Sequence, residues 1–294
     1  MTSTKTTTTS IRSSKTVQLQ QQQRCNNLPN IVKGDYSHPY LIPNFTSLKD
    51  KRKWALQHMA GAFRVFARKG YTEGTIGHVS LRDPVDPTTF WINPMGKHFA
   101  LMKVSDLVHV DQDGNVLPTG NQAAIKTAGF LMHSAIHQAR PDVNAACHFH
   151  SVHGKAWSCF GKLLDMINQD VCIFYNRHSV YAEFNGAVLN EKESEKIVKT
   201  LGENGKGIIL QNHGLLTVGS TIDEAAYLFT LMERCCQVQL LAQLALLQGE
   251  KCPKLIGDEE AQFCELTHGG AETLYTEFQP DLELEMHLND DFLN

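Results

Sequence analysis

The chain has 294 residues, 42% of them hydrophobic and 20% charged, with a formal net charge of −4. That is an ordinary globular composition, enough for one large domain or two small ones. Without a basic surplus or a long apolar run, neither nucleic acid nor a membrane is expected as a partner.

Residues 1–30 are a Thr/Ser tract followed by Gln18 and a glutamine run at 20–23. Little there can be buried, so a disordered tail is expected. The start lacks the apolar core of a signal peptide, which predicts a cytoplasmic location. Residues 31–50, with Pro39 and Pro43, read as an ordered arm laid over the domain. Trp54, Met59, Ala62, Phe63 and Phe66 then recur at helical spacing until Gly70. Short strands follow at 78–81 and 90–92, and Asp113-Gly114 behind residues 108–111 signals a hairpin. Residues 127–139 read as a second helix, ended by Arg140-Pro141. A buried strand is expected at 143–149 and short strands at 180–184 and 188–189. Asn190 with Glu193 predicts a cap over a helix reaching Leu201. A strand at 207–210, a tight Asn212-His213-Gly214 turn and an extended run at 215–218 come next. Thr221 and Glu224 predict a capping box for a long helix ending near Gln248-Gly249. From residue 257 the chain is acidic and shows no pattern. The expected organisation is a tail (1–30), a mixed α/β domain (31–256) and an acidic extension (257–294). None of the eight cysteines forms a CxxC pair, so buried free thiols in a reducing compartment are expected.

His148-Phe149-His150 carries the first chemical signal. On a strand, residues i and i+2 share a face, so both imidazoles can reach one ion from a rigid, apolar base. Asn212-His213-Gly214 is the second signal, a histidine beside a glycine at a strand end. A third imidazole from a separate strand would complete a His₃ set that leaves positions open for a substrate.

The stretch from His133 through Arg140-Pro141-Asp142-Val143 into His148-Phe149-His150-Ser151 resembles the signature of class II aldolases and adducin heads. So does Leu210-Gln211-Asn212-His213-Gly214-Leu215-Leu216-Thr217-Val218-Gly219. Gly77-His78-Val79-Ser80-Leu81-Arg82 is similar to the family's early Gly-Asn-x-Ser-x-Arg loop, with His78 in place of the asparagine. The resemblance implies a three-layer αβα sandwich around a mostly antiparallel central sheet, assembled as a homotetramer with sites near subunit interfaces. It also implies one divalent metal ion on His148, His150 and His213.

Family aldolases carry a Ser-Ser-Glu-like element ahead of the helix that holds His133. Here Gly129 stands at the glutamate position, behind Thr127-Ala128. Glycine offers neither a proton nor a ligand, so an ordinary sugar-phosphate retro-aldol reaction is disfavoured. A His₃ site suits Zn(II), or Fe(II) with oxygen as co-substrate. The resemblance extends to members that act in antibiotic pathways as non-haem iron oxygenases. The expectation is therefore an enzyme cleaving a C–C bond in a small oxygenated acid or amino acid, with a lean towards Fe(II)/O₂ chemistry. A zinc lyase or epimerase on an unphosphorylated sugar acid stays open, as does a non-catalytic adducin-like module.

His153, Tyr175 and His178 are the candidates to replace the missing acid/base, with Tyr181 and Glu183 in the same polar cluster as Tyr175 and His178, and Glu73 ahead of the Gly77 loop. Gly77, His78 and Gly129 are candidate substrate contacts, together with backbone N–H groups of Thr119-Gly120-Asn121. For each of these, a packing or turn role is the competing account. Asn212 is expected to orient His213.

Overall fold

The computed structural model describes residues 40–186 and 191–294. Helix α1 (Leu48–Arg68) starts where the Ser47 hydroxyl accepts the Asp50 N–H, and ends at Gly70 with φ 81°. Its Met59, Phe63 and Phe66 lie fully inside, as the spacing predicts. The Phe45 ring packs tilted against Trp54 with centroids 5.3 Å apart, so the described part of the arm does lie over the domain. The expected tail at 1–30 lies outside the described residues.

Seven strands form one sheet: β1 (His78–Arg82), β2 (Phe90–Ile92), β3 (Val108–Val110), β4 (Ala145–Phe149), β5 (His178–Tyr181), β6 (Gly207–Leu210) and β7 (Gly214–Gly219). Their spatial order is β3-β2-β1-β4-β7-β6-β5. Every neighbouring pair is antiparallel except β5 with β6. The helices between them are α2 (Thr127–Ala139), α3 (Val152–Ser158) and α4 (Glu191–Leu201), and α5 (Ile222–Leu247) follows β7.

The two faces of the sheet bury different helices. Ala145, Cys147 and Phe149 of β4 share a core with α1 and α5. Ala146, between them, faces Met132 and Ile136 of α2 and Ile197 and Leu201 of α4. The period of two thus separates the layers, and the architecture is the three-layer αβα sandwich around a mostly antiparallel sheet.

The extension from 257 is not patternless. It forms α6 (Asp258–His268), α7 (Ala271–Leu288) and a closing 3₁₀ turn, Asp290–Leu293. Leu274, Phe278, Leu282 and Phe292 are buried in the same core as α1. Gly61 of α1 permits this approach: a Cβ there would lie 2.2 Å from Leu282 Cδ1. Leu274, Phe278 and Leu282 have the i, i+4 spacing of a buried face. Interleaved acids and Pro280 inside the helix masked it.

Smaller differences have local causes. Residues 182–184 are not strand, because β5 ends with its partner β6 at Tyr181 and Leu210. Asp113-Gly114 makes a turn closed by the Asp111 carboxylate, with a single bridge from Val110 to Val116 rather than a hairpin ladder. Thr221 caps α5, but the Glu224 carboxylate serves Ser220 and Lys206, so half the expected box forms. The expected strand at 188–189 and the Asn190 cap fall outside the described residues. Of the cysteines, Cys147, Cys172, Cys235 and Cys236 are buried, whereas Cys159 and Cys252 are exposed. No helix among the described residues is long and apolar enough to cross a membrane.

Candidate metal centre

The three expected histidines converge. His148, His150 and His213 each bring a ring nitrogen to within 4.8 Å of the others. His148 is the penultimate residue of β4, and His150 follows the strand's end. Phe149, between them, anchors that end against Phe66 at 4.6 Å and Phe229 at 4.8 Å. His213 arrives through the turn joining β6 to β7. Asn212 takes φ 55° there, and a Cβ at Gly214 would lie 2.5 Å from the Phe149 carbonyl. Only a glycine lets the two strand ends meet this closely.

His148 Nδ1 lies 2.9 Å from the Leu215 carbonyl, to which it donates its proton. Its Nε2 is thereby left bare for an ion, the arrangement that orients metal-binding imidazoles. Burial first, and the neighbouring imidazoles second, hold His148 well below the ordinary histidine pKa. Burial, His150 and Lys126 push His213 down to about 4, and burial with Lys126 and Lys155 lowers His150. All three are neutral at pH 7, the form in which histidine ligates. The donor set therefore fits a divalent ion.

A second row of histidines backs the first. His78 on β1 pairs with His148 across the strands, their rings 4.8 Å apart. His78 Nδ1 lies 2.7 Å from His133 Nε2 on α2. Ser80 Oγ then bridges His133 Nδ1 and His137 Nε2. Gly129 makes room for this row: a Cβ there would fall 2.7 Å from His78 Cδ2.

The tripod opens into a cavity of about 520 Å³, bordered also by Lys126, Lys155, Phe184 and Asn212. Such a volume suits a small organic ligand. Among the described residues no Asp or Glu lines it. Lys155 is paired with Glu73 at 2.7 Å, whereas Lys126, at the start of α2, makes no ion pair with any described residue. Periodicity gave no signal for either lysine, because Lys126 precedes α2 and Lys155 lies within α3 as ordinary surface cations do. Only the turn of α2 towards the tripod makes Lys126 a site residue.

Of the other sequence candidates, Gly77 and His78 line the cavity and Gly129 touches the His78 ring. Asn212 borders it too, although its side chain makes no hydrogen bond to His213 among the described residues. The rest lie elsewhere. His153 turns away on α3, where its Nδ1 is 2.9 Å from Glu233 of α5. Tyr175 pairs with Asp258 at the start of α6. His178 is paired with Gly207, at the end of β6 remote from His213. Both its nitrogens are consumed by backbone, the Leu164 N–H and the Phe174 carbonyl. Glu183 pairs with Lys196. Thr119, Gly120 and Asn121 hang from β3, three strands and roughly 14 Å from β4. Thr119 Oγ1 holds His109 and the Asn121 N–H serves the Leu107 carbonyl, so this is a packing turn.

Residues 57–240 match the sequence profile described as Class II Aldolase and Adducin N-terminal domain. The chain belongs to the class II aldolase and adducin family. Within that family it is 46% identical, over 83% of its length and 94% of the relative's, to the Meiotically up-regulated gene 14 protein of Schizosaccharomyces pombe. It is 40% identical, over 74% and 78%, to 4-hydroxy-3-prenylphenylpyruvate oxygenase/4-hydroxy-3-prenylbenzoate synthase of Streptomyces roseochromogenus. A solved L-fuculose 1-phosphate aldolase from Glaciozyma antarctica superimposes with a TM-score of 0.78 at 38% identity, covering 86% of this chain and 96% of that one. Class II aldolases typically use a divalent metal, and the histidine tripod is where this member would hold it.

Proposed function

We propose that this family member is a metal-dependent enzyme that cleaves a C–C bond in a small oxygenated acid, with Fe(II) as the ion and O₂ as co-substrate in an oxidative or decarboxylating cleavage. One observation carries this: among the described residues, three imidazoles share a cavity with a lysine that makes no ion pair, and no carboxylate lines it. When bound, Fe(II) would supply open positions for substrate and oxygen. The chain's own residues do the remainder. Lys126 draws the acid group of the substrate towards the first turn of α2, where its charge and the helix N-terminus act together. Apolar neighbours such as Phe184 and Met132 exclude water from the rest of the ligand. Gly129 removes the carboxylate that proton-transfer chemistry on a sugar phosphate would use. The Streptomyces relative, whose name describes oxygenation of an arylpyruvate, supports this choice.

The alternative is a zinc-dependent aldol or lyase cleavage, favoured by the likeness to the fuculose-phosphate aldolase. Metal analysis of protein purified without oxygen or chelator separates the two, together with an oxygen-electrode screen of arylpyruvates and aryl hydroxy acids. Bound iron and substrate-dependent oxygen uptake support the first. Full turnover with zinc in the absence of oxygen would replace it with the second. A homotetramer is proposed alongside: Leu241, Leu244 and Leu247 form an exposed apolar row on α5 that a second copy would cover. Sedimentation of the full chain as a monomer would remove that part.

A further inference from the structure

Each hydrogen bond in the buried histidine row has one donor and one acceptor, so the row has a direction. Its far end sets it. His137 Nδ1 faces the Val143 carbonyl at 3.4 Å, an oxygen that can only accept and that also receives Arg82. Nδ1 of His137 must therefore carry the proton, since the opposite tautomer would set two lone pairs against each other. His137 Nε2 is then bare, and the Ser80 hydroxyl donates to it at 2.8 Å. Ser80 Oγ accepts from His133 Nδ1–H, and His133 Nε2 accepts from His78 Nδ1–H at 2.7 Å. In that order each ring places a single proton on the row, and burial also lowers the pKa of His133 and His137.

The row ends at His78 Nε2, which makes no hydrogen bond among the described residues. It is not sealed either: among the described residues the buried, unpartnered side-chain atoms are Trp91 Nε1, Ser179 Oγ, Tyr181 Oη and Asp223 Oδ2. Since His78 lines the cavity, this nitrogen opens into it.

We infer that the Ser80–His133–His137 row locks His78 as its Nδ1–H tautomer, so that His78 Nε2 presents a lone pair beside the metal tripod and accepts the hydroxyl proton of a hydroxy-acid ligand. His78 is the ligand-orienting group; Ser80, His133 and His137 are positioning residues. A carboxylate oxygen is repelled by that lone pair and drawn to Lys126, whereas an O–H is attracted. The cavity therefore distinguishes the two ends of a hydroxy acid. The tautomer stands on the hydrogen bonds alone, and the ligand role rests on the cavity being the catalytic site proposed above.

The test is ¹⁵N NMR of the zinc-loaded full chain labelled at histidine, with the His78 resonances assigned by His78→Asn. The expected spectrum has a protonated Nδ1 and a bare Nε2 at His78. In Ser80→Ala, which removes the bridge yet leaves the cavity wall in place, the Nε2–H form becomes populated. Glycolate should move the Nε2 resonance upfield as its O–H bonds there, while methoxyacetate, which has no such proton, should leave it in place. A protonated Nε2 in the unsubstituted protein, or a tautomer unchanged by Ser80→Ala, would overturn the lock. A resonance that responds equally to the two acids, or to neither, would overturn the ligand role. Zinc content measured on the same sample tests the metal site separately.

Discussion

His78 calls for glycine at 129: a side chain there would begin 2.7 Å from the Cδ2 of an imidazole already pinned by His133. The absence of a carboxylate at 129 and the presence of the imidazole at 78 are thus coupled in this fold. Gly129→Glu should therefore not yield a sugar-phosphate aldolase. It should cost about 1–3 kcal/mol of stability, the range for overpacking a filled site. Denaturant unfolding of Gly129→Glu beside Gly129→Ala measures it, and a stable Gly129→Glu protein with fuculose-phosphate aldolase activity would refute the coupling.

Removing one tripod imidazole should remove the ion. His148→Ala and His213→Ala are each expected to weaken metal binding by more than about 100-fold, exceeding the effect of losing an outer partner. His153→Ala should leave metal content unchanged, because that ring faces Glu233. Inductively coupled plasma analysis of the three variants decides the matter.

Lys126→Met should raise KM for an acidic substrate about tenfold or more, the worth of one charge-assisted hydrogen bond. Metal content should be unaltered and kcat nearly so. An equal fall in kcat with unchanged KM would remove Lys126 from substrate binding.

Asp83 predicts acid sensitivity far from the site. Burial alone would raise its pKa, but hydrogen bonds from His109 and Arg52 outweigh that and hold it at about 2. A carboxyl with a depressed folded pKa stabilises the fold above its unfolded value near 4, and loses that contribution as pH falls through about 2. Asp83→Asn should cost about 2 kcal/mol at pH 7 and flatten the acid limb of stability between pH 4 and 2. Parallel acid limbs in the two proteins would contradict this.

Phe278→Ala should destabilise the whole domain by about 3–5 kcal/mol, as a large core truncation does, although it lies in a stretch whose composition suggests a tail. Thermal unfolding should remain a single transition. A selective early loss of α6 and α7 would show that they fold separately.

Much was legible in the sequence where pattern and neighbourhood coincide. The strand carrying His148 and the turn carrying His213 both announce themselves through apolar runs and a glycine, and the structure brings their imidazoles together. His153, Tyr175 and His178 lie away from the tripod cavity, because sequence proximity says nothing about direction. One of the three sits on the far side of a helix, and another at the wrong end of an edge strand. Lys126 was invisible for the opposite reason: its significance comes only from where α2 points. The buried face of α7 had the right period, but acids and a proline obscured it.

The tripod spans β4 and the β6–β7 turn, so His148 and His213 meet only after strands distant in the chain have paired. An unfolded chain cannot offer that grip, and an ion that binds only the folded form stabilises it by mass action, about 4 kcal/mol when its concentration exceeds Kd a thousandfold. An ion held there would be a clasp as well as a reagent. Melting temperature would then gauge metal supply, and a starved molecule would be exposed first to unfolding and proteolysis.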